Sequence, residues 1–188
     1  GREARARGFN ILLGGGVNLA FDPRNGRNFE YLGEDPLLAG RMAGAAIRGT
    51  QSVGVVSTIK HFALNAQETL RQSADARMDE AGLREGELLA FRIGIETGEP
   101  GAVMCAYNLL NGEKACGNRW LLEDVLKRDW RYRGWVMSDW GAVDDSSFLL
   151  AGLDQQCGRE LDREPWFDGP LRERFARGEI PRARLSDA

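Results

Sequence analysis

Histidine and cysteine are scarce in this chain of 188 residues, and their scarcity limits the chemistry open to it. His61 is the single histidine. Because zinc sites use several His or Cys ligands, metal-dependent hydrolysis is disfavoured, and no metal or cofactor is expected. The three cysteines, Cys105, Cys116 and Cys157, are odd in number and lack CxxC spacing, which argues against a disulfide framework. We therefore predict that all three are free and packed.

Long apolar runs, low-complexity tracts and a strong charge of one sign are also missing. No apolar run approaches the length of about eighteen residues that suggests a membrane span, so no membrane partner is expected. The net charge of -3 gives no reason to expect nucleic acid as a partner. The chain starts at Gly1 without an initiator methionine and shows no signal peptide. We therefore expect a soluble piece of a longer protein, and its compartment stays open.

One pattern recurs along the chain: an apolar run of strand length, a polar loop, and then apolar residues at helical spacing. Such βα units are typical of a parallel sheet or barrel, so the predicted fold class is α/β. The predicted strands are 9–13, 53–59, 102–106 and the run before Asp139, and the predicted helices are 36–49, 79–97, 118–133, 142–152 and 169–178. In the first helix, Leu38, Met42 and Ala45 are predicted to face the core.

Polar side chains follow four predicted strands at the point where each strand ends. Arg27 lies in the loop after the first strand, and Lys60 and His61 follow the second. Tyr107 follows the third strand and Asp139 follows the fourth. Because the carboxyl ends of parallel strands form one face of a sheet, we expect these side chains to share a rim. Each one alone is compatible with a structural role, such as a packed tyrosine or an aspartate that caps the next helix.

This rim offers the groups that cleavage of a glycosidic bond requires. A strand-end carboxylate such as Asp139 can act as a nucleophile, and the neighbouring Trp140 can cover a sugar ring. Arg27, Lys60 and His61 can hold sugar hydroxyl groups, and cations among them favour the ionised form of Asp139. Two alternatives stay open: a Schiff-base lyase or aldolase that uses Lys60, and a module that binds sugar without catalysis.

Four motifs resemble those of glycoside hydrolase family 3, of the β-glucosidase type, and they occur in the family's order. They are GRNFEY with GEDP at 26–36, KHFALN with QE and R at 60–71, VMCAYN at 103–108, and VMSDWG at 136–141. The resemblance implies a partial (β/α)8 TIM-like barrel over residues 1–188, without the family's N-terminal strands and without its second domain. It also implies a retaining, exo-acting hydrolase that releases the terminal sugar from β-linked glucosides or oligosaccharides.

The same resemblance assigns roles to individual residues. It implies Asp139 as the nucleophile, and it implies a subsite for the terminal sugar lined by Arg27, Lys60, His61, Met104, Tyr107 and Trp140. The general acid/base of such proteins comes from a later domain, so the partner that the site needs is the rest of its own chain. The 188-residue segment alone is therefore expected to be inactive. A periplasmic or secreted location is compatible with the family.

Three glutamates near the motifs are predicted to be structural rather than catalytic. Glu34 stands before Asp35 at the start of a helix, while Glu30 and Glu68 are expected to pair with nearby Arg or Lys side chains. Residues 60–65 read KHFALN, where the N-acetylhexosaminidase branch of the family has a second histidine. That branch is therefore disfavoured.

Overall fold

The computed structural model describes residues 1–158 and 160–188. The α-helices in this part of the chain are α1 (Arg2–Ala6), α2 (Pro36–Gln51), α3 (Glu80–Glu85), α4 (Glu87–Gly98), α5 (Gly169–Ala176) and α6 (Arg182–Asp187). The β-strands are β1 (Ile11–Leu12), β2 (Val56–Phe62), β3 (Asp75–Ala76), β4 (Ala102–Cys105), β5 (Leu109–Leu110), β6 (Glu113–Lys114) and β7 (Trp135–Ser138). Shorter segments are the 3-10 turns Asn28–Glu30, Ala115–Gly117 and Ser146–Ala151 and the π-helix Trp120–Asp129. None of the described helices is long and apolar enough to cross a membrane.

Four strands form a parallel sheet in the order β1-β2-β4-β7. Parallel strands that are covered on both faces are apolar almost throughout, and β4 is buried over its whole length. Alternate residues of β4 face opposite sides. Val103 belongs to the large core that includes α2 and α4, whereas Met104 packs with Met137 on the other face. The parallel sheet with its helices confirms the predicted α/β class.

Helix α2 turns a different face to the core from the one predicted. Leu38 and Met42 are 54% and 46% exposed, and Ala45 is exposed as well. The buried face consists of Ala39, Gly40, Ala43, Gly44 and Ile47. The reason is the close approach of α4, because a Cβ atom on Gly40 would stand 2.7 Å from Cβ of Ile93. Hydrophobicity pointed to Leu38 and Met42, but the two helices meet mainly through small residues, with Ile47 packed against Gly98 of α4.

Other elements differ from the prediction in their limits. β2 begins later than predicted, at Val56, and continues to Phe62. Lys60 and His61 therefore lie inside the strand, next to a register shift against β4. The second predicted helix is divided into α3 and α4 at Gly86. The segment after Asp139 is helical only within its second half, as a 3-10 turn. A second small sheet, in the order β3-β5-β6, has no counterpart in the prediction.

The helix predicted after Asn118 is confirmed together with its cap. Asn118 Oδ1 accepts a hydrogen bond from the Leu121 N–H at 2.9 Å. The residues predicted to face inward, Leu121, Leu122, Val125 and Leu126, are all buried. β7 follows this helix and delivers Asp139 at its end. The last predicted helix is also present, as α5.

Cys105 and Cys116 form a disulfide, so the prediction of three free cysteines is wrong for this pair. Cys105 ends β4, and the chain then turns through the hairpin of β5 and β6, which brings Cys116 back beside it. Their Cα atoms are 5.1 Å apart. Strands of two residues carry no periodicity, so this return path could not be predicted. Cys157 is free and partly buried.

Candidate active site

Asp139 stands at the carboxyl end of β7, where the sheet holds its backbone. Its N–H donates to the Cys105 carbonyl at 3.1 Å, and the residue is only 6% exposed. Oδ1 accepts a hydrogen bond from the Trp140 N–H at 2.7 Å. Oδ2 is buried and has no hydrogen-bond partner within the described residues. This carboxylate therefore has one oxygen fixed and can present the other to a ligand.

The alternative role for Asp139, as the N-cap of the next helix, belongs to a different residue. The next helical segment begins at Ser146, and its N-cap is Asp145, whose Oδ1 accepts from the Ser147 N–H at 2.7 Å. Directly after Asp139 the chain makes a turn, in which the Ala142 N–H donates to the Asp139 carbonyl at 3.3 Å. A capping role therefore does not explain why the Asp139 side chain is buried.

Burial and charge act against each other on Asp139. Burial raises the pKa of Asp139 to about 6. The opposite effect comes from the Trp140 N–H and from three cations: Arg27, Lys60 and Arg71. The expected influence of the cations is present, but burial outweighs it. The carboxylate is ionised at neutral pH and takes up a proton in mildly acidic solution.

His61 lies inside β2 and is 1% exposed. Burial, together with the positive charges around it, lowers the pKa of His61 to about 2, so the ring is neutral. Arg27 Nη2 is 2.9 Å from His61 Nε2. Because a guanidinium group can only donate, Nε2 accepts this bond and the ring proton is on Nδ1. Asp139 Oδ2 lies 3.8 Å from Nε2, but the two groups do not form an ion pair because the ring is neutral.

Glu30 holds two of the cations beside Asp139. Its Oε1 accepts a hydrogen bond from Arg27 Nε, and its Oε2 is 3.4 Å from Lys60 Nζ. Burial acts to raise the pKa of Glu30, but the Arg27 hydrogen bond and the Lys60 charge bring it below its ordinary value. The predicted pairing of Glu30 with cations is confirmed, and its two oxygens are both engaged.

Tyr107 connects Arg27 to a second glutamate. Arg27 Nη1 donates to the Tyr107 hydroxyl at 3.1 Å, and that hydroxyl donates to Glu68 Oε1 at 3.2 Å. Asn65 Nδ2 donates to the same oxygen at 3.2 Å, and Arg71 Nη1 donates to Glu68 Oε2 at 3.0 Å. The Arg71 guanidinium also lies 4.8 Å from the centre of the Tyr107 ring. The predicted pairing of Glu68 is confirmed as well.

Trp140 and Met104 lie at different depths. Trp140 is partly buried and packs closely on Gly158, where a Cβ atom would overlap the indole ring. Met104 is fully buried in the apolar cluster on the face of the sheet away from α2 and α4, and Trp140 packs against that cluster. Trp140 therefore has surface beside Asp139, whereas Met104 supports the site from below and has no exposed surface.

The predicted polar residues form one connected group at the strand ends. Arg27 contacts both His61 and Tyr107, and Glu30 links Arg27 to Lys60. The two glutamates beside this group, Glu30 and Glu68, are paired with cations, whereas Asp139 forms no ion pair with Arg or Lys in the part of the chain that the structure describes. In residues 1–158 and 160–188, no set of three or more His, Cys, Asp or Glu side chains is arranged to hold a metal ion.

One residue of this region was missed by the sequence analysis. Asn18 lies in the loop after β1, and its side-chain amide forms two hydrogen bonds with the backbone of His61. An asparagine in a long loop without periodicity carries no signal of such a contact. Only the fold, which brings this loop next to β2, makes the contact visible.

Comparison with known proteins identifies relatives of this chain. A model of the glycosyl hydrolase family 3 N terminal domain matches residues 1–161. Thermostable beta-glucosidase B of Acetivibrio thermocellus is 49% identical over 155 residues, which cover 82% of this chain and 20% of that protein. Exo-alpha-(1->6)-L-arabinopyranosidase of Bifidobacterium longum is 47% identical over 145 residues, which cover 77% of this chain and 19% of that protein.

A solved structure shows the same arrangement of elements. Beta-glucosidase 3B from Thermotoga neapolitana, in complex with glucose, superposes with a TM-score of 0.94 at 38% identity, over 98% of this chain and 27% of that chain. The likeness confirms the predicted fold as part of a TIM-type barrel. The chain spans about a fifth of the length of the curated relatives that it matches. By the family model and by its identity to these relatives, this chain belongs to glycoside hydrolase family 3.

Proposed function

We propose that this chain is the nucleophile-bearing part of a retaining, exo-acting glycoside hydrolase of the β-glucosidase kind. The observation that carries the proposal is the buried Asp139 carboxylate, with Oδ1 fixed and Oδ2 unpaired, beside the Arg27 and Lys60 cations. A retaining enzyme needs a carboxylate that is ionised yet not fully occupied by hydrogen bonds. Asp139 meets both conditions at neutral pH.

In the retaining route, Asp139 attacks the anomeric carbon while an acid protonates the leaving oxygen, and a covalent glycosyl-enzyme forms. Water then attacks the same carbon, the former acid removes its proton, and the sugar is released. The Trp140 N–H orients the carboxylate so that Oδ2 is the attacking oxygen. The two carboxyl groups of this route are about 5 to 5.5 Å apart. We place the second one outside this chain, in a later domain of the longer protein.

The residues around Asp139 are proposed to bind the terminal sugar. Arg27 and Lys60 can donate hydrogen bonds to hydroxyl groups. The His61 Nδ1–H is buried without a partner among the described residues, so it is a donor that a hydroxyl can use. Trp140 is placed to cover the sugar ring. The contact of Met104 with the sugar stays a prediction. Met104 has no exposed surface through which a sugar could touch it in this structure.

The released sugar is proposed to be glucose from β-linked glucosides or oligosaccharides. This choice is supported by a relative named as a beta-glucosidase and by a relative solved in complex with glucose. Another relative is named as an arabinopyranosidase. Rates on an aryl β-glucoside and an aryl α-L-arabinopyranoside should therefore be compared in the full-length protein, and we expect the glucoside to be cleaved faster.

Labelling of the nucleophile tests the proposal. A 2-deoxy-2-fluoroglucoside with a good leaving group should label the full-length protein at Asp139, because the fluorine destabilises the oxocarbenium-like transition state and slows release of the covalent sugar. Mass spectrometry should find one sugar adduct on the peptide that contains Asp139. Asp139→Asn should take up no label, while Asp144→Asn, whose side chain is 55% exposed, should be labelled normally. An adduct on another carboxylate would refute the assignment.

The two other functions predict different products. A Schiff-base lyase would be trapped on Lys60 by borohydride in the presence of a carbonyl substrate, and we expect no such adduct, because Lys60 Nζ is paired with Glu30. A sugar-binding module would bind glucose but would not accept the fluorosugar label. Labelling and trapping on the same preparation therefore separate the three functions.

A further inference from the structure

Glu87 is a buried carboxyl group that the proposed reaction does not use. It lies in the first turn of α4, and none of its surface is exposed. Burial acts to raise the pKa of Glu87, whereas the two hydrogen bonds that its oxygens accept act to lower it. A buried carboxyl group is costly unless hydrogen bonds compensate it, so its partners indicate why it is there.

Both partners of Glu87 are donors from the loop after β1. Oε1 accepts from the Leu19 N–H at 2.9 Å, and Oε2 accepts from Asn18 Nδ2 at 3.3 Å. Each of these residues has no exposed surface. Two donors facing one side chain require two acceptor oxygens, which a carboxylate supplies and an amide does not.

Asn18 in turn holds the backbone of His61. Its Nδ2 donates to the His61 carbonyl at 2.9 Å, and its Oδ1 accepts from the His61 N–H at 2.8 Å. The side-chain amide thus continues the ladder in which the Val17 N–H donates to the Lys60 carbonyl at 2.9 Å. The backbone of Lys60 and His61 is therefore fixed from the side of β1, on the opposite flank of β2 from β4.

The His61 backbone and Glu87 favour the same orientation of the Asn18 amide. With its amide reversed, Asn18 would place an NH2 group against the His61 N–H and an oxygen against the Glu87 carboxyl group, and both bonds to the His61 backbone would be lost. By accepting the second proton of Nδ2, Glu87 adds to the preference for this orientation and holds the amide in place from the side of α4. The chain of contacts runs from α4 through Asn18 to the strand that carries the sugar site.

We propose that Glu87 is a positioning residue of the sugar site, which acts through Asn18 on the backbone of His61. The proposal rests on the proposed function, because it assigns Glu87 a role in holding the ring that contacts Arg27 and faces Asp139. Glu87 itself touches neither the sugar nor the nucleophile.

Three variants of the full-length protein test the proposal. Glu87→Gln replaces one acceptor with an NH2 group that must face a donor, and Glu87→Met removes both acceptors while it fills the space with apolar atoms. We expect the inhibition constant of glucose to rise about tenfold in both variants, a factor that corresponds to about 1.4 kcal/mol. Glu85→Gln is the matched control, because Glu85 is exposed two positions earlier, and it should leave the inhibition constant unchanged.

The Met variant separates positioning from stability. Replacing a buried carboxyl group by an apolar side chain of similar size is often neutral or stabilising, so Glu87→Met should keep its melting temperature while it loses affinity for glucose. A Met variant with normal affinity for glucose would overturn the proposal, whatever its melting temperature. If Glu87→Gln does not fold, the Met variant alone decides the question.

A double variant tests the route through Asn18. If Glu87 acts through that residue, Glu87→Met should add little to the loss that Asn18→Ala causes, and the two effects will not be additive. Additive losses would overturn the route. A wild-type protein that neither cleaves glucosides nor takes up the fluorosugar label would refute the proposed function and this inference together. A labelled, active wild type with unaffected variants would refute the inference alone.

Discussion

The fold keeps Asp139, the proposed nucleophile, largely out of contact with water. Burial takes away much of the solvation that a carboxylate would otherwise have, and the pKa of Asp139 rises to about 6 as a consequence. Arg27 and Lys60 limit this rise, and Glu30 in turn limits the net positive charge that they bring. The residue thus remains ionised at neutral pH although it is nearly out of contact with solvent.

The pH dependence of the reaction should report this balance. kcat/KM of the full-length protein for an aryl β-glucoside should fall below about pH 6, because the protonated form of Asp139 cannot attack. Arg71→Gln removes a cation that lowers the pKa of Asp139, so it should move the acidic limb of the profile to higher pH. Arg92→Gln, at an exposed position of α4, should leave the limb in place.

The same group affects stability with a definite sign. The folded pKa of Asp139 lies above 3.8, the value of an unfolded chain, so the folded state keeps a proton that the unfolded state releases between pH 3.8 and about 6. The contribution of Asp139 to the free energy of unfolding therefore decreases as the pH rises through this window. A kcat/KM profile whose acidic limb is centred near pH 4 and is unmoved by Arg71→Gln would contradict both the raised pKa of Asp139 and the effect on stability that follows from it.

At the scale of the elements, the site depends on how closely α2 and α4 pack. The glycines and alanines of α2 let α4 approach, and the first turn of α4 carries Glu87 to the loop beside β2. A Cβ atom on Gly40 would stand 2.8 Å from the carbonyl oxygen of Ala90, a backbone atom that cannot turn aside. The position of α4 is therefore set by small residues whose side chains contribute little to hydrophobicity.

Two glycines of α2 should respond in opposite directions to the same substitution. Gly40→Ala should lower the unfolding free energy by about 1 to 3 kcal/mol, since the added methyl group forces the two helices apart. Gly49→Ala, at an exposed position of α2 with no atom within 4 Å of the added group, should raise it by up to about 1 kcal/mol through helix propensity. Melting temperatures of the full-length variants measure both effects, and a stabilising Gly40→Ala would show that the packing is looser than described.

Elements with continuous apolar runs could be predicted from sequence, and those that depend on a distant partner could not. The strand before Asp139 and the helix capped by Asn118 follow from local patterns and were found. The buried face of α2 was misjudged because Leu38 and Met42 make one side of the helix the more hydrophobic one. The side that packs against α4 is the other, which consists mainly of glycine and alanine. The Cys105–Cys116 disulfide was missed because it depends on a hairpin of very short strands.

The candidate site divides in the same way. The strand ends placed Asp139, Tyr107 and the Lys60–His61 pair together, and the rim that this implies is what the structure contains. Asn18 could not be found, because loops have no period. Glu87 carried one signal that went unused, since it is a charged residue within the apolar stripe that continues through Leu88 and Phe91.

At the scale of the whole molecule, we propose that the edge of the sheet at β1 and the apolar surface beside it are covered by further strands of a longer protein. β1 and β7 are the two edges of the sheet, and among the described residues β1 pairs only with β2. Phe9 and Ile11 beside this edge are 61% and 38% exposed. The neighbours that cover such surfaces in a barrel are proposed to be strands of the longer protein, because this chain matches about a quarter of the solved relative.

The 188-residue segment alone should therefore bind no substrate productively, and it should show no turnover of an aryl β-glucoside that the full-length protein hydrolyses. The route needs an acid that holds a proton near neutral pH. Glu30 cannot be that acid, because its pKa lies below the ordinary value and both its oxygens face cations. Both oxygens of Glu68 are occupied, because Oε1 accepts hydrogen bonds from Tyr107 and Asn65 and Oε2 accepts one from Arg71. Turnover by the folded segment would mean that one of these glutamates gives up its partners to act as the acid. Loss of that turnover in Glu68→Gln, but not in the control Glu85→Gln, would identify Glu68 as that acid.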